Sequence, residues 1–124
     1  MNIIEASRAG NLNKVKELIA AGIRLNDKDK EGWTALHWAS YWDRLEIVKE
    51  LIAAGADVSV KNYGGYTPLH EVCTRGRLEM AKELIAAEAD VNGMDSWGRT
   101  ELYYAIKGGR LEIAELLKQN GAIE

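Results

Sequence analysis

Three side chains could act as a nucleophile, a general base or a soft metal ligand: His37, His70 and Cys73. His70 and Cys73 stand three residues apart, so on a helix they share a face and could pair thiol with imidazole. Neither a further base nor a ligand-spaced cluster completes a site around them. The glycines fall singly at turns, with Gly64 and Gly65 forming one such turn, and the spaced set that cradles a phosphate is missing. Carboxylates are paired with lysines at helical spacing, Glu46 with Lys49 and Glu79 with Lys82, which suits weak surface ion pairs. The reading is a chain with no catalytic residue, no metal site and no cofactor. A Cys/His catalytic or metal site at His70 and Cys73 is the alternative that metal analysis and a Cys73→Ser variant would test.

The elements that position these groups repeat. Gly32, Gly65 and Gly98 recur every 33 residues, as do Thr34, Thr67 and Thr100, and Leu12, Leu45, Leu78 and Leu111. The run Val15 to Gly22 is identical to Val48 to Gly55, and Lys82 to Ala87 nearly repeats it. Each unit reads as a turn followed by two short helices, because both apolar patterns have helical spacing. In the second unit Gly32 supplies the turn, and Thr34 caps a helix that runs to about Tyr41. A second helix buries Leu45, Val48, Leu51 and Ile52 and stops at Gly55. Pro68 fits the first turn of a helix, where a missing N–H is harmless.

Composition narrows the class. The 124 residues carry 16 Lys and Arg against 19 Asp and Glu, a net charge of −3, which argues against nucleic acid as a partner. Lys, Glu or Asp interrupts every apolar run before the ~20 residues a bilayer requires, so no membrane association is expected. Cys73, the single cysteine, cannot form an internal bridge. With no signal-peptide pattern at Met1 to Gly10, the expected setting is intracellular and cytoplasmic.

The segments Thr34-Ala35-Leu36-His37, Thr67-Pro68-Leu69-His70 and Gly55-Ala56-Asp57-Val58 resemble ankyrin-repeat signatures. The resemblance covers residues 1–124 as one domain, with units at approximately 1–28, 29–61, 62–94 and 95–124 and a shortened first unit as a cap. It implies an all-α solenoid of stacked helix-turn-helix units with projecting turns, whose turn tips and first helices line a concave binding surface. It also implies that His37 and His70 hydrogen-bond within and between turns, too far apart to share a zinc ion with its ~2 Å nitrogen bonds. Cys73 aligns with Ser7 and Ser40, and with Ile106, which suggests a confined and inert thiol. Four residues depart from the pattern: Glu88 and Asp43 stand at glycine positions, Tyr103 replaces histidine and Glu101 replaces proline. At Glu88 a left-handed conformation is expected to strain the helix end.

The aromatic residues carry the functional expectation. Four Trp and five Tyr occur with no Phe, and all lie in turns or first helices. Trp and Tyr, with Arg, dominate protein-interface energetics. The expected partner-binding residues are Trp33, Trp38, Tyr41, Trp42, Tyr63, Tyr66, Trp97 and Tyr104, with Arg75, Met94, Arg99 and Lys107 extending the patch. Among them Tyr41, Trp42, Tyr63 and Trp97 occupy positions that the family keeps variable and solvent-facing, whereas Trp33, Trp38 and Tyr66 also suit packing. Tyr103, at the histidine position, reads as framework. The expected function is a non-catalytic scaffold for a protein or peptide, either a monomer or a weak homo-oligomer, with a self-assembling structural module as the alternative. Near-identical second helices beside diversified turns and first helices suit a binding surface varied on a fixed scaffold, by natural duplication or as an engineered, de novo protein.

Overall fold

In the computed structural model, which describes residues 1–123, the repeat becomes four helix pairs. They are α1 (Ile3–Ala9) with α2 (Leu12–Ala20), α3 (Ala35–Tyr41) with α4 (Leu45–Ala53), α5 (Pro68–Arg75) with α6 (Leu78–Ala86), and α7 (Glu101–Lys107) with α8 (Leu111–Gln119). First helices pack in the order α1, α3, α5, α7 and second helices in the order α2, α4, α6, α8, giving two layers. The seam between them is filled at repeat spacing. Leu36, Leu69 and Leu102 are buried, as are Leu51, Leu84 and Leu117. Ala6, Ala39, Val72 and Ala105 keep the first-helix layer close, and Val15, Val48, Ala81 and Ala114 do so in the second. Ile47 also faces the core, which the helical reading of that segment left out.

Each first helix starts where a side chain closes it. Thr34, Thr67 and Thr100 are extended, and their hydroxyl oxygens accept the amides of His37, His70 and Tyr103. Asn2 does the same for α1. Losing such a cap costs about 1 kcal/mol. Ahead of three of the helices the chain projects as a hairpin-like turn organised by Asp29, Asn62 and Asp95. The Oδ1 of each accepts two backbone amides, from residues two and four positions on. Neighbouring tips are joined by the Ser96 amide donating to the Gly64 carbonyl at 2.9 Å. Gly65 allows this approach, because it has φ +82° and a Cβ there would lie 2.7 Å from the Ser96 nitrogen.

Asp43 and Glu88 are both left-handed, at φ 60° and 67°. Their circumstances differ. Arg44, Arg77 and Arg110, one in each of the last three units, reach back over the end of the preceding unit's first helix. The Arg44 and Arg110 guanidinium groups donate to the carbonyls of Arg8 and Thr74, at 3.4 and 3.5 Å. Arg77 instead meets the Asp43 carboxylate at 3.9 Å, so the substitution for glycine gains an ion partner. Glu88 gains none among the described residues. At the matching Gly22 and Gly55 a Cβ would meet nothing within 4 Å, which makes the strain at Glu88 conformational rather than steric. Glu88→Gly is therefore expected to raise stability by about 1 kcal/mol, or about 4 °C in melting temperature, in a thermal scan. Asp43→Gly should gain less, because it also removes the contact with Arg77.

The last unit ends differently from the inner ones. Tyr103, Ile106 and Leu111 are exposed, although His70, Cys73 and Leu78 at the same register face a following unit. Tyr103 is 37 % exposed, less enclosed than the framework reading expects. Cys73 and its register mates Ser7 and Ser40 are buried, whereas Ile106 in the same register is exposed. On α8, Lys118 stands in register with Ile52 and Ile85.

Candidate partner-binding face

The three potentially reactive side chains are sealed. His37, His70 and Cys73 have no accessible surface. The Thr34 amide donates to His37 Nδ1 at 3.2 Å, and an amide can only donate, so the ring proton sits on Nε2. That proton goes to the Tyr66 carbonyl of the next unit, 2.8 Å away. His70 repeats the arrangement with the Thr67 amide at 3.1 Å and the Arg99 carbonyl at 3.2 Å. Burial pushes His37 down to about 4 and lowers His70 as well, so both are neutral struts. Burial likewise pushes the Cys73 thiol far above its ordinary value, and the charge of Glu101 adds to this.

Glu101 is the residue that sequence reasoning missed here. Its Oε1 lies 3.7 Å from His70 Nδ1 and 3.3 Å from the Thr67 hydroxyl, forming a buried thiol, imidazole and carboxylate neighbourhood. It cannot work as a nucleophilic triad. Nδ1 carries no proton for the carboxylate to orient, Nε2–H is spent on a carbonyl, and no solvent path reaches the sulfur. Among the described residues no three His, Cys, Asp or Glu side chains converge in a way that could hold a metal.

The turn tips and first helices present the aromatic rings. Trp33 and Trp38 lie 4.5 Å apart between centroids, Tyr41 stands edge-on to both, and Trp42 stands edge-on to Tyr41 at 5.0 Å. The Trp38 indole N–H donates to Asp29 Oδ2 at 2.9 Å. Burial would raise the Asp29 carboxyl, but this bond and the amides of Trp33 and Glu31 hold it below its ordinary value. Tyr66 and Tyr104 form a second group, with the Tyr104 hydroxyl donating to the Asp95 carboxylate. Burial and that bond push the Tyr104 hydroxyl well up. Trp38, Tyr66 and Tyr104 are thus half-buried with structural partners, and Trp33 and Tyr41 are half-buried against other rings.

Three rings project furthest into solvent: Trp42, Tyr63 and Trp97 are 49, 69 and 70 % exposed. Met94 is also exposed, and its carbonyl accepts Lys61 Nζ at 2.9 Å. Cations stack on this surface. The Arg75 guanidinium lies 3.9 Å from the Tyr41 ring, Arg99 lies 5.6 Å from Trp97 and 5.2 Å from Tyr103, and Lys107 lies 5.7 Å from Tyr103. Sequence reasoning left out two further cations, Arg8 at 5.1 Å from Trp38 and Lys28 at 5.8 Å from Tyr63. Arg8 was findable, since it shares a register with Tyr41 and Lys107.

A family model of ankyrin repeats, in three copies, matches residues 3–62 and 60–123. The chain belongs to the ankyrin-repeat family. Ankyrin repeats generally mediate contact between proteins, and they are typically non-catalytic. The ankyrin units here are similar to stretches of much larger proteins. Identity is 40% over 44 residues with a vapyrin-like protein of Medicago truncatula, covering 36% of this chain and 10% of that one. It is 47% over 47 residues with the palmitoyltransferase AKR1 of Debaryomyces hansenii, covering 37% and 6%. It is 62% over 24 residues with calmodulin-binding transcription activator 6 of Arabidopsis thaliana, covering 19% and 3%. This ankyrin chain therefore spans a tenth or less of the length of these curated relatives. No helix among the described residues is long and apolar enough to cross a membrane.

Proposed function

We propose that this ankyrin domain is a non-catalytic scaffold that binds a protein or peptide through the concave face of its turn tips and first helices. The observation that carries the reading is the exposure of Trp42, Tyr63 and Trp97 beside rings and cations already held in place. Large rings left in water near fixed neighbours lose little conformational freedom on contact, which favours them as anchors. The binding set is Trp33, Tyr41, Trp42, Tyr63, Trp97, Arg75, Met94, Arg99 and Lys107. Trp38, Tyr66 and Tyr104 contribute mainly by holding their neighbours. The sealed histidines and thiol support a role without catalysis. The lone buried thiol suits a reducing, cytoplasmic setting.

Affinity capture on the purified domain, with mass spectrometry of what is retained, supplies the partner. Trp42→Ala, Tyr63→Ala and Trp97→Ala should then each weaken its binding by about 2 kcal/mol. Their melting temperatures should barely move, because exposed rings contribute little to folding. Variants that unfold while keeping affinity in the folded fraction would show that these rings are core and that the face lies elsewhere. A second reading is weak self-association rather than a strict monomer, favoured by the same exposed Trp42, Tyr63 and Trp97, because an aromatic face without its partner can pair with itself. Light scattering across a concentration series would detect it.

A further inference from the structure

The proposed face has a charge that the composition conceals. Between Lys61 and Lys107, the tips and first helices carry the cations Lys61, Arg75, Arg99 and Lys107 and the carboxylates Glu71, Asp95 and Glu101. Formally these nearly cancel, but solvent does not meet them equally. Glu101 is 0 % and Asp95 6 % exposed. Asp95 is also spent, one oxygen on the amides of Trp97 and Arg99 and the other on Tyr104. The Glu71 side chain is 13 % exposed and lies 3.7 Å from Arg75, too long for a hydrogen bond. Lys61, Arg99 and Lys107 are exposed, and Arg75 keeps 34 % of its side-chain surface. These three carboxylates turn inward and these cations outward, while Glu31, Asp43 and Asp90 are exposed carboxylates of the neighbouring tips and helix ends.

These cations are also pre-positioned. A guanidinium stacked on a ring, as that of Arg75 is on Tyr41, keeps its outer in-plane N–H groups available for a carboxylate. The opposite layer is weakly acidic over the same units, since α4, α6 and α8 each carry two Glu and one Lys. An anionic partner is therefore favoured on the ring-lined face over the other. Four cations on a chain of net charge −3 fall short of the field a nucleic-acid backbone requires, whereas the exposed rings offer an apolar seat.

We infer that this face takes an acidic peptide segment with an apolar or aromatic anchor, its carboxylates meeting Arg75, Arg99 and Lys107 and its anchor seated among the exposed rings. The inference rests on the concave-face reading above and specifies its partner. A library of random short peptides displayed on phage is the probe, selected on the wild-type domain. Winning peptides are resynthesised and titrated by fluorescence anisotropy. Two variants serve as comparisons, one with Arg75→Glu, Arg99→Glu and Lys107→Glu, the other with Trp42→Ala, Tyr63→Ala and Trp97→Ala, both checked for folding by circular dichroism. The expected winners are rich in Asp and Glu around one large apolar residue, bind more weakly as salt rises, and lose about tenfold or more affinity on charge reversal. Peptides that lose affinity only with the aromatic variant leave the face standing and overturn its acidic partner. Peptides indifferent to both variants overturn the face itself. Absence of any selected peptide, or a single-stranded RNA that binds this face more tightly than the winners, also overturns the inference.

Discussion

Leu51→Ala should lower the stability of the domain by about 2–5 kcal/mol, because it removes a fully buried side chain and leaves a cavity that its neighbours fill incompletely. The position makes the effect large. Leu51 sits on α4, which packs against α2 on one side and α6 on the other, so the loss weakens two inter-unit contacts at once. In a stack whose stability is a sum of unit and nearest-neighbour terms, such a break lets the first unit melt ahead of the others. Calorimetry should therefore show a lower and broader transition, while partner binding by the remaining folded protein survives. A loss below about 1 kcal/mol would mean that Leu51 is not enclosed as described.

The legibility of this chain follows from its period. Capping threonines, seam leucines and helix ends recur at fixed spacing, so each inner unit checks the reading of the next, and the left-handed Glu88 was recoverable from glycines elsewhere in its register. Legibility falls where a residue's environment is set by the neighbouring unit rather than by its own. Arg44, Arg77 and Arg110 recur just as regularly, but only their reach across the unit boundary gives them meaning and turns Asp43 from a defect into a partner. Tyr103 failed in the opposite direction. Its register says enclosed framework, whereas its ring is partly exposed beside Arg99 and Lys107.

The candidate face was legible as a set of rings and only partly as a geometry. That all the Trp and Tyr fall in tips and first helices is a fact of sequence. Which of them are spent on structure is not, because the tip carboxylates Asp29 and Asp95 recruit Trp38 and Tyr104 through side-chain contacts nine residues along the chain. The cations show the same limit. Their number is readable, but the inward turn of Glu71, Asp95 and Glu101 is a property of packing.

Glu101 yields the second large effect, and its sign depends on pH. The carboxyl is fully buried, its Oε2 has no hydrogen-bond partner, and Gly93 leaves it room, since a Cβ there would lie 3.2 Å from Oε1. Burial raises it to about 7 from 4.5; its own amide, Thr67 and Lys61 pull downward, and Asp90 adds to the rise. A carboxyl raised on folding binds its proton more tightly in the native state. Its stabilisation is therefore complete below about pH 4.5 and is lost as pH rises through about 7, a change of about 3 kcal/mol. His37 works in the opposite sense. Held down at about 4 from 6.5, it contributes stability above about pH 6.5 that is lost as pH falls through about 4. His70 shifts in the same direction. Across this interval the two kinds of group oppose one another and flatten the wild-type profile. Glu101→Gln removes one side of the balance, because an amide is neutral at every pH. Urea unfolding should show the variant little changed at pH 4, more stable by about 3 kcal/mol at pH 8, and rising in stability between them as the histidines become neutral. An increment independent of pH would mean that the Glu101 carboxyl does not change protonation on folding; a decrement at pH 8 would mean that its charge is matched by a partner and helps to hold the final unit.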